Sequence, residues 1–349
     1  MASMKYSIIV PVFNRPDEVD ELLQSLCGQS EHNFEVIIVE DGSQKTCKEV
    51  CDRYVGQLDL KYFYKPNSGP GQSRHYGAER AQGDYLIVLD SDVVLPERYL
   101  EAVDMELDKE EADAFGGPDR AHPSFTDTQK AISYSMTSFY TTGGIRGGKK
   151  KLDKFYPRSF NMGIRRDVYR QLGGFSKMRF GEDIDFSIRI FKGGYRCRLF
   201  PDAWVWHKRR TDFRKFWRQV YNSGIARINL YKKYPDSLKL VHLLPMVFTV
   251  GVIGLLLLLL VGLGLCAFSP DKAVGTALCY LSLLPLVLYA AIIFLDSDLK
   301  NRSVLIGLLS IRAAFTQLMG YGFGFISAWW KRCVMGKDEF SAYEKNFYN

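Results

Sequence analysis

The chain has 349 residues, 47% apolar and 24% charged, with a net charge of +7, which leaves room for one large domain and a smaller part. The average conceals a split, because residues up to about 240 are rich in charge and the chain turns strongly apolar beyond Leu243. Basic residues crowd at that boundary, in Lys208-Arg209-Arg210, Arg214-Lys215, Arg218 and Lys232-Lys233, a pattern suited to an anionic membrane surface and not to nucleic acid.

Seven cysteines stand scattered, with no CxxC pair and no Cys/His cluster. That spacing argues against a zinc site and a disulfide framework, and for reduced thiols in a cytosolic compartment. No signal peptide is expected before the first strand.

In chain order, Tyr6 to Val12 reads as a strand and Asp17 to Cys27 as a helix. A second strand runs from Phe34 to Val39 into Glu40-Asp41-Gly42-Ser43, followed by a helix over Lys45 to Gly56. A third strand covers Leu60 to Tyr64, a helix Gly71 to Gln82, and a fourth strand Tyr85 to Leu89. Strands alternating with helices at this spacing predict an α/β fold with a doubly wound, mostly parallel sheet. Ligands of such sheets bind beyond the carboxyl ends of the strands, where Asn14, Asp41 and Asp90 stand. Neither a G-x-G-x-x-G after the first strand nor a Walker-type G-K-S/T is present, which disfavours a dinucleotide-binding domain.

Farther on, Ala114 to Gly117 reads as a strand and Asp127 to Tyr140 as an amphipathic helix. Thr141 to Lys151, with four glycines and three lysines, reads as a mobile loop able to act as a lid. Phe160 to Ile164 and Ala203 to Trp206 read as strands, Arg166 to Leu172 as a short helix, Gly181 to Ile190 as a helix opened by acids, and Asp212 to Tyr231 as a basic, aromatic-rich helix. Leu243 to Phe268, Val274 to Leu295 and Ser303 to Trp330 are each long and apolar enough to span a bilayer. The third carries Arg312 and Gln317 and ends in Trp329-Trp330-Lys331-Arg332. Lys232, Lys233 and Lys239 beside the first span place residues 1 to 240 in the cytoplasm by the positive-inside rule. A third full crossing would export Lys331, Arg332 and Lys337, against that rule, and an arginine in mid-membrane is costly, so the third segment reads as a span facing its neighbours or as a partly interfacial helix; two and three spans both stand, with three preferred.

Asp90-Ser91-Asp92 closes the apolar run from Tyr85. Two acids one residue apart at a strand end can approach one divalent cation and a bound sugar or phosphate, and their hard oxygens suit Mg²⁺ or Mn²⁺.

With this pair, Val10-Pro-Val-Phe-Asn14, Val39-Glu-Asp-Gly-Ser43, Asn67-Ser-Gly-Pro-Gly-Gln-Ser-Arg74 and Gly181-Glu-Asp-Ile-Asp185 occur in the order seen in family-2 glycosyltransferases. Over roughly residues 5 to 230 the chain resembles a membrane-anchored bacterial member with a GT-A fold. The resemblance implies that Pro11, Phe13, Asn14, Asp41, Asn67, Arg74 and Asp90 bind a nucleotide sugar, with Asp41 contacting the base and Arg74 facing the phosphates. It implies that Asp92, with Asp90, holds the metal, and that Asp183 is the catalytic base, supported by Glu182. Asp185 reads as a structural acid. The family usually has Asn where His75 stands. His207 is read either as a third metal ligand, like the late histidine of some GT-A enzymes, or as a structural histidine. The Q-x-x-R-W motif of processive synthases is absent.

The expected organisation is a cytoplasmic GT-A domain over 4–235, a membrane domain over 236–335 with two to three hydrophobic helices, and a polar tail over 336–349. The expected protein is an inverting, metal-dependent transferase at the cell inner membrane. It moves one sugar, from a UDP-sugar in the first instance, to a lipid-linked or growing cell-surface glycan. A polyprenyl-phosphate glycosyltransferase and a non-catalytic sugar-nucleotide-binding membrane protein are the alternatives. Membrane lipids are expected partners and nucleic acid is not.

Overall fold

The computed structural model describes residues 5–120, 122, 124–142, 156–178, 180–208, 211–270 and 272–339. The chain divides into two compact units, residues 1–123 with 153–208, and residues 124–152 with 209–349.

The first unit begins with β1 (Tyr6–Val12), almost wholly buried. Next comes α1 (Pro16–Cys27), which opens on a proline and two acids and buries Val19, Leu22, Leu23 and Leu26 along one face. Proline has no N–H to lose at a helix start, and the acids meet the positive end of the helix dipole. β2 (Phe34–Asp41) is buried at every position, as a central parallel strand must be.

α2 is short (Lys48–Asp52) where the sequence predicts a helix from Lys45 to Gly56. The side chains of neighbouring loops hold the missing start out of helix: Asn14 Oδ1 accepts from the Gln44 and Lys45 N–H groups, and Glu40 Oε2 from the Cys47 N–H. β3 (Leu60–Lys65) and α3 (Pro70–Ala78) follow. α3 stops short of the predicted Gln82 because Arg80 and Ala81 tighten into three-residue turns and the Gln82 N–H goes to Glu35.

β4 (Tyr85–Leu89), β5 (Val93–Val94), α4 (Tyr99–Lys109), β6 (Ala114–Gly116) and β7 (Asp119–Arg120) come next. The second unit receives α5 (Asp127–Thr137), capped by a Thr126–Gln129 box, and α6 (Phe139–Thr142). The predicted single helix to Tyr140 is thus broken at Ser138. The expected lid at 141–151 lies almost wholly outside the described residues. The first unit resumes with β8 (Asn161–Arg165), α7 (Arg166–Gln171), α8 (Glu182–Lys192), β9 (Cys197–Leu199) and β10 (Val205–His207).

Seven strands form one sheet in the order β3-β2-β1-β4-β8-β6-β9. Only β8 runs against its neighbours, pairing antiparallel with β4 and β6, so the expected doubly wound, mostly parallel sheet is present. β10 pairs with β5 and β7 in a small second sheet beyond the end of β4. The sequence gives little sign of β5, β7 and β9, two or three residues each. One core packs α1, α2 and α4 on one face of the large sheet around Tyr6, Leu22, Leu23 and Phe115. The other packs α3, α7 and α8 on the opposite face around Ile37, Val88, Met162 and Phe186.

The second unit is helical, with α9 (Phe213–Lys233), α10 (Leu244–Phe268), α11 (Ala273–Asn301) and α12 (Val304–Trp329) joining α5 and α6. Three of its segments, Leu240–Phe268, Ala273–Asn301 and Val304–Val334, are long and apolar enough to cross a membrane. The compact units therefore divide before α9 and place 124–152 with the helices, whereas the sequence suggests a boundary at 235. α5 and α9 carry mixed, amphipathic sequences without lipid-like runs, and only their packing reveals which unit they join.

Candidate functional site

The carboxyl ends of β1, β2 and β4 carry the motifs, as in any open sheet whose loops gather on one edge. At the end of β1, Asn14 takes a left-handed backbone, φ 55, which asparagine tolerates because its short side chain bonds locally. Its N–H donates to Ser43 Oγ at 2.7 Å and its Oδ1 accepts from Gln44 and Lys45. Asn14 thus ties the loop after β1 to the loop after β2 and shapes the backbone between Pro11 and Asn14, while Phe13 stands half exposed beside it.

Asp41 closes β2 and is 4% exposed. Its Oδ1 accepts from the Ser68 N–H at 2.9 Å and from Lys65, and its Oδ2 from the Gly69 N–H at 2.9 Å. The Asn67 amide donates to the Asp41 carbonyl. Asp41 therefore fastens the turn that launches α3. Gly69, at φ 90, is the residue before that helix, and the positive φ explains glycine there. A carboxylate offers about four acceptor positions, so three internal donors leave room for one further N–H.

α3 carries Arg74 inward. The guanidinium is 3% exposed and donates to Asp90 Oδ1 at 2.8 Å and to Glu182 Oε1 at 2.7 Å. Burial alone would lower its pKa, but the two carboxylates outweigh that and raise it. Glu182, in the first turn of α8, is pushed up to about 6, chiefly by burial, with Arg74 opposing and Asp183 adding to the rise. Asp183 receives Arg158 at 3.3 Å. Asp185 is fully buried and paired with Arg189 at 2.9 Å.

Past β4, Asp90, Asp92 and His207 bring one ligand atom each to within 4.8 Å of one another. β10 delivers the histidine. Its Nε2 lies 3.2 Å from Asp92 Oδ1, and its ring stacks on Phe160 at 4.9 Å. His207 Nδ1 is buried without a hydrogen bond, with Asp119 Oδ2 3.9 Å away. Two hard carboxylates and one imidazole are a donor set that fits Mg²⁺ or Mn²⁺, with His207 Nε2 turned toward Asp92 and Nδ1 on the side of Asp119. Arg15 Nη1 reaches Asp92 Oδ2 at 2.6 Å.

The structure thus gathers Asp90, Asp92, His207, Arg74 and Glu182 into one continuous set, with Asp183 next along α8. Asp41 and Asn67 join it through the turn that starts α3, and Pro11, Phe13 and Asn14 through Arg15. Sequence reasoning missed four participants. Arg15 follows Asn14 directly in its motif, which is a usable signal. Lys65, Arg158 and Asp119 carry none, because strand pairing and loop closure bring them in.

Residues 7–173 match the family model described as glycosyl transferase family 2. A probable glycosyltransferase, YdaM, of Bacillus subtilis is 26% identical over 239 residues, covering 65% of this chain and 56% of that protein. A pre-mycofactocin glycosyltransferase of Mycobacterium tuberculosis is 26% identical over 270 residues, covering 74% of this chain and 53% of that one. An uncharacterized glycosyltransferase of Rickettsia felis is 29% identical over 137 residues, 39% of this chain and 22% of its own length. The chain thus spans only about a fifth to just over half of these curated relatives. Among solved structures, the mannosyltransferase PcManGT of Pyrobaculum calidifontis, in complex with GDP-Man and Mn2+, superposes with a TM-score of 0.56 at 16% identity, over 94% of this chain and 88% of that one. That likeness establishes the fold, which is GT-A. Residues 7–173 thus carry a glycosyl transferase family 2 domain, set in a GT-A fold.

Proposed function

We propose that the chain is an inverting, metal-dependent glycosyltransferase that moves a single sugar from a nucleotide sugar to a lipid-linked or growing cell-surface glycan. The observation that carries this reading is the Asp90–Asp92–His207 cluster, joined through Arg74 to the acids that open α8. Asp90, Asp92 and His207 would hold Mg²⁺ or Mn²⁺. When bound, that cation offsets negative charge on the departing nucleoside diphosphate.

The other steps fall to this chain's own residues. The Pro11–Asn14 backbone, with Phe13, offers the base a surface, and the remaining acceptor position of Asp41 takes a base N–H. Arg74, fixed at both ends by acids, presents a pre-oriented cation near the diphosphate and loses little freedom when it binds. Asp183 takes the proton of the acceptor hydroxyl as that oxygen attacks the anomeric carbon from the side opposite the leaving group. Glu182 holds Arg74 in place. The site lies on the cytoplasmic side of a cell inner membrane in this reading, which Lys232, Lys233 and Lys239 beside the first apolar segment support.

One observation favours a second reading. Arg158 faces the Asp183 carboxylate at 3.3 Å, and a cation there suits an anionic acceptor such as a polyprenyl phosphate, which attacks already ionised and needs no base. Asp183→Asn separates the two: it abolishes transfer to a sugar hydroxyl and leaves transfer to a phosphate measurable.

The first experiment is a thermal-shift screen of the purified chain with UDP-, GDP- and dTDP-sugars, each with and without Mn²⁺, followed by transfer assays on the donor that binds. A UDP-sugar that stabilises the protein only with the cation is the expected result. No stabilisation by any nucleotide sugar, with or without metal, would overturn the proposal.

A further inference from the structure

Three segments of the helical unit have the length and composition of membrane spans, but their surroundings differ. α10 and α11 pair with each other as a hairpin. Near its tip Gly262 and Gly275 meet backbone to backbone, since a Cβ on either would lie within 3.0 Å of the other's carbonyl oxygen. Near its base Phe248, Tyr289 and Phe315 form one aromatic cluster. Much of the outer surface of these two helices is exposed leucine, valine and isoleucine, as lipid requires.

α12 is more deeply packed, although Val304, Leu305 and Leu308 near its start are also exposed. It runs alongside α9 in the same direction for most of its length. Arg312 of α12 lies over the Phe213 ring at 4.5 Å, and Trp217 meets Phe323 at 6.0 Å. A Cβ on Gly224 would lie 2.2 Å from the Tyr321 carbonyl oxygen, and one on Gly324 would lie 2.0 Å from that of Tyr221. At the far end Arg332 donates to Asn229 at 3.0 Å. These contacts allow no sliding or rotation of α12 away from α9. Yet α9 carries Arg214, Lys215, Arg218, Arg227, Lys232 and Lys233 and no acid, and five of the six are exposed. A helix with that many cations does not sit in hydrocarbon. A helix locked beside it cannot cross hydrocarbon either.

α5 closes another side of α12. Ala131 packs on Ile306 and Ala313, and Tyr134 packs on Ala314 while donating to Asp296 at 2.6 Å. The end of α11 that meets this region is polar, with Lys300 paired to Asp296 and the Ser297 and Ser310 hydroxyls bonded at 2.7 Å. Thr249 near the start of α10 meets the Leu318 carbonyl, so α12 passes the base of the hairpin. From Thr249 to its end α10 has about twenty residues, a rise of roughly 30 Å, which is the hydrocarbon thickness of one bilayer. The hairpin alone fills that depth, and the Phe248–Tyr289–Phe315 cluster falls at its edge, where aromatic belts form.

We infer that α12 does not cross the membrane, and that α9 and α12 lie together as a platform on the anionic headgroups of the leaflet at the base of the α10–α11 hairpin, leaving two spans among the described residues. The exposed Trp329 and Trp330 seat the far end of α12 at the headgroup level. Lys331, Arg332 and Lys337 then stay on the same side as Lys232 and Lys233, as the positive-inside rule demands. The inference rests on packing and charge and is independent of the sugar-transfer reading.

The test is the sidedness of the full-length chain in a bacterial inner membrane. Ser237→Cys, Ser269→Cys and Lys337→Cys are each labelled with a membrane-impermeant maleimide, against the wild-type background, in intact spheroplasts and after lysis. The expected result is labelling of position 269 on one side and of positions 237 and 337 together on the other. Green fluorescent protein and alkaline phosphatase fused in turn to each end of the unaltered chain give an answer that needs no substitution. Both ends reporting the same compartment supports two spans. Position 337 labelling with 269, or the two ends reporting opposite compartments, would overturn the inference.

Discussion

Glu182 is the place where the site most plainly works against the stability of the fold. Its carboxyl is pushed from an ordinary 4.5 up to about 6, with burial the largest cause, and it is 8% exposed. A carboxyl raised in the folded state stabilises the fold in its protonated form. That contribution is complete below the unfolded value near 4.5 and is lost as pH rises through 6. Between these limits it amounts to about 2 kcal/mol, at about 1.4 kcal/mol for each tenfold change in proton affinity. Glu182→Gln keeps the shape and an acceptor for Arg74 and removes the ionisation, so at pH 7.5 it should stabilise the chain by about 2 kcal/mol. For a unit of this size that is a rise in melting temperature of about 4–8 °C. At pH 5.0 most folded-state Glu182 is protonated, and the advantage should shrink to well under its value at pH 7.5. The assay is thermal unfolding of the detergent-solubilised chain in EDTA, variant against parent at each pH, so that other titrating groups cancel. An advantage independent of pH, or a variant less stable than the parent at pH 7.5, would refute the reasoning. The same variant should lose transfer activity, because Arg74 would then face only one charged partner.

Other outcomes follow from single contacts. Asp92→Asn should abolish the Mn²⁺-dependent rise in melting temperature and cut transfer by about 100-fold or more; calorimetric titration with Mn²⁺ checks the first part without any donor. Arg15→Ala removes the cation that holds Asp92 Oδ2 at 2.6 Å, and Mn²⁺ should bind about 2–5-fold more tightly, the worth of a partly exposed ion pair; weaker binding would show that Arg15 orients Asp92 instead. Gly117→Ala would place a Cβ 1.7 Å from the Ala203 carbonyl oxygen, backbone that has no rotamer to change, and should cost about 1–3 kcal/mol, read as a lowered melting temperature and faster proteolysis.

The sheet was legible because its strands are long apolar runs with acids at their carboxyl ends, and that single pattern locates both the layers and the site edge. Helix boundaries were less legible where side chains from elsewhere claim the backbone. Asn14 and Glu40 take the N–H groups that would begin α2 at Lys45, and no local signal in 45–47 reports that. Short strands were missed for a related reason: β5, β7 and β9 are defined by partners distant in sequence, and two or three residues carry no period. The His207 position was legible only as a histidine after an apolar run, and its proximity to Asp92 depends on β10 pairing antiparallel with β5, the strand directly after the acid pair. The role of α12 was half legible: its length and composition describe a span, Lys331, Arg332 and Lys337 after it argue against one, and its packing on α9 is what the proposal of a surface helix adds.

Arg74 explains why the motifs must be kept together and in order. One buried guanidinium joins Asp90, at the end of β4, to Glu182, at the start of α8. Removing that guanidinium would cost about 3–5 kcal/mol, most of it the burial of the two carboxylates left uncompensated. Glu182 stays ionised at neutral pH against its burial only because Arg74 offsets part of that penalty, and Arg74 stays in place only because the Asp41-fastened turn starts α3 where it does. The strain at Glu182 is therefore not an isolated defect. It is what the chain accepts to hold one cation rigidly between the acid pair after β4 and the candidate base on α8, so that any motion of α3 is felt at both ends at once.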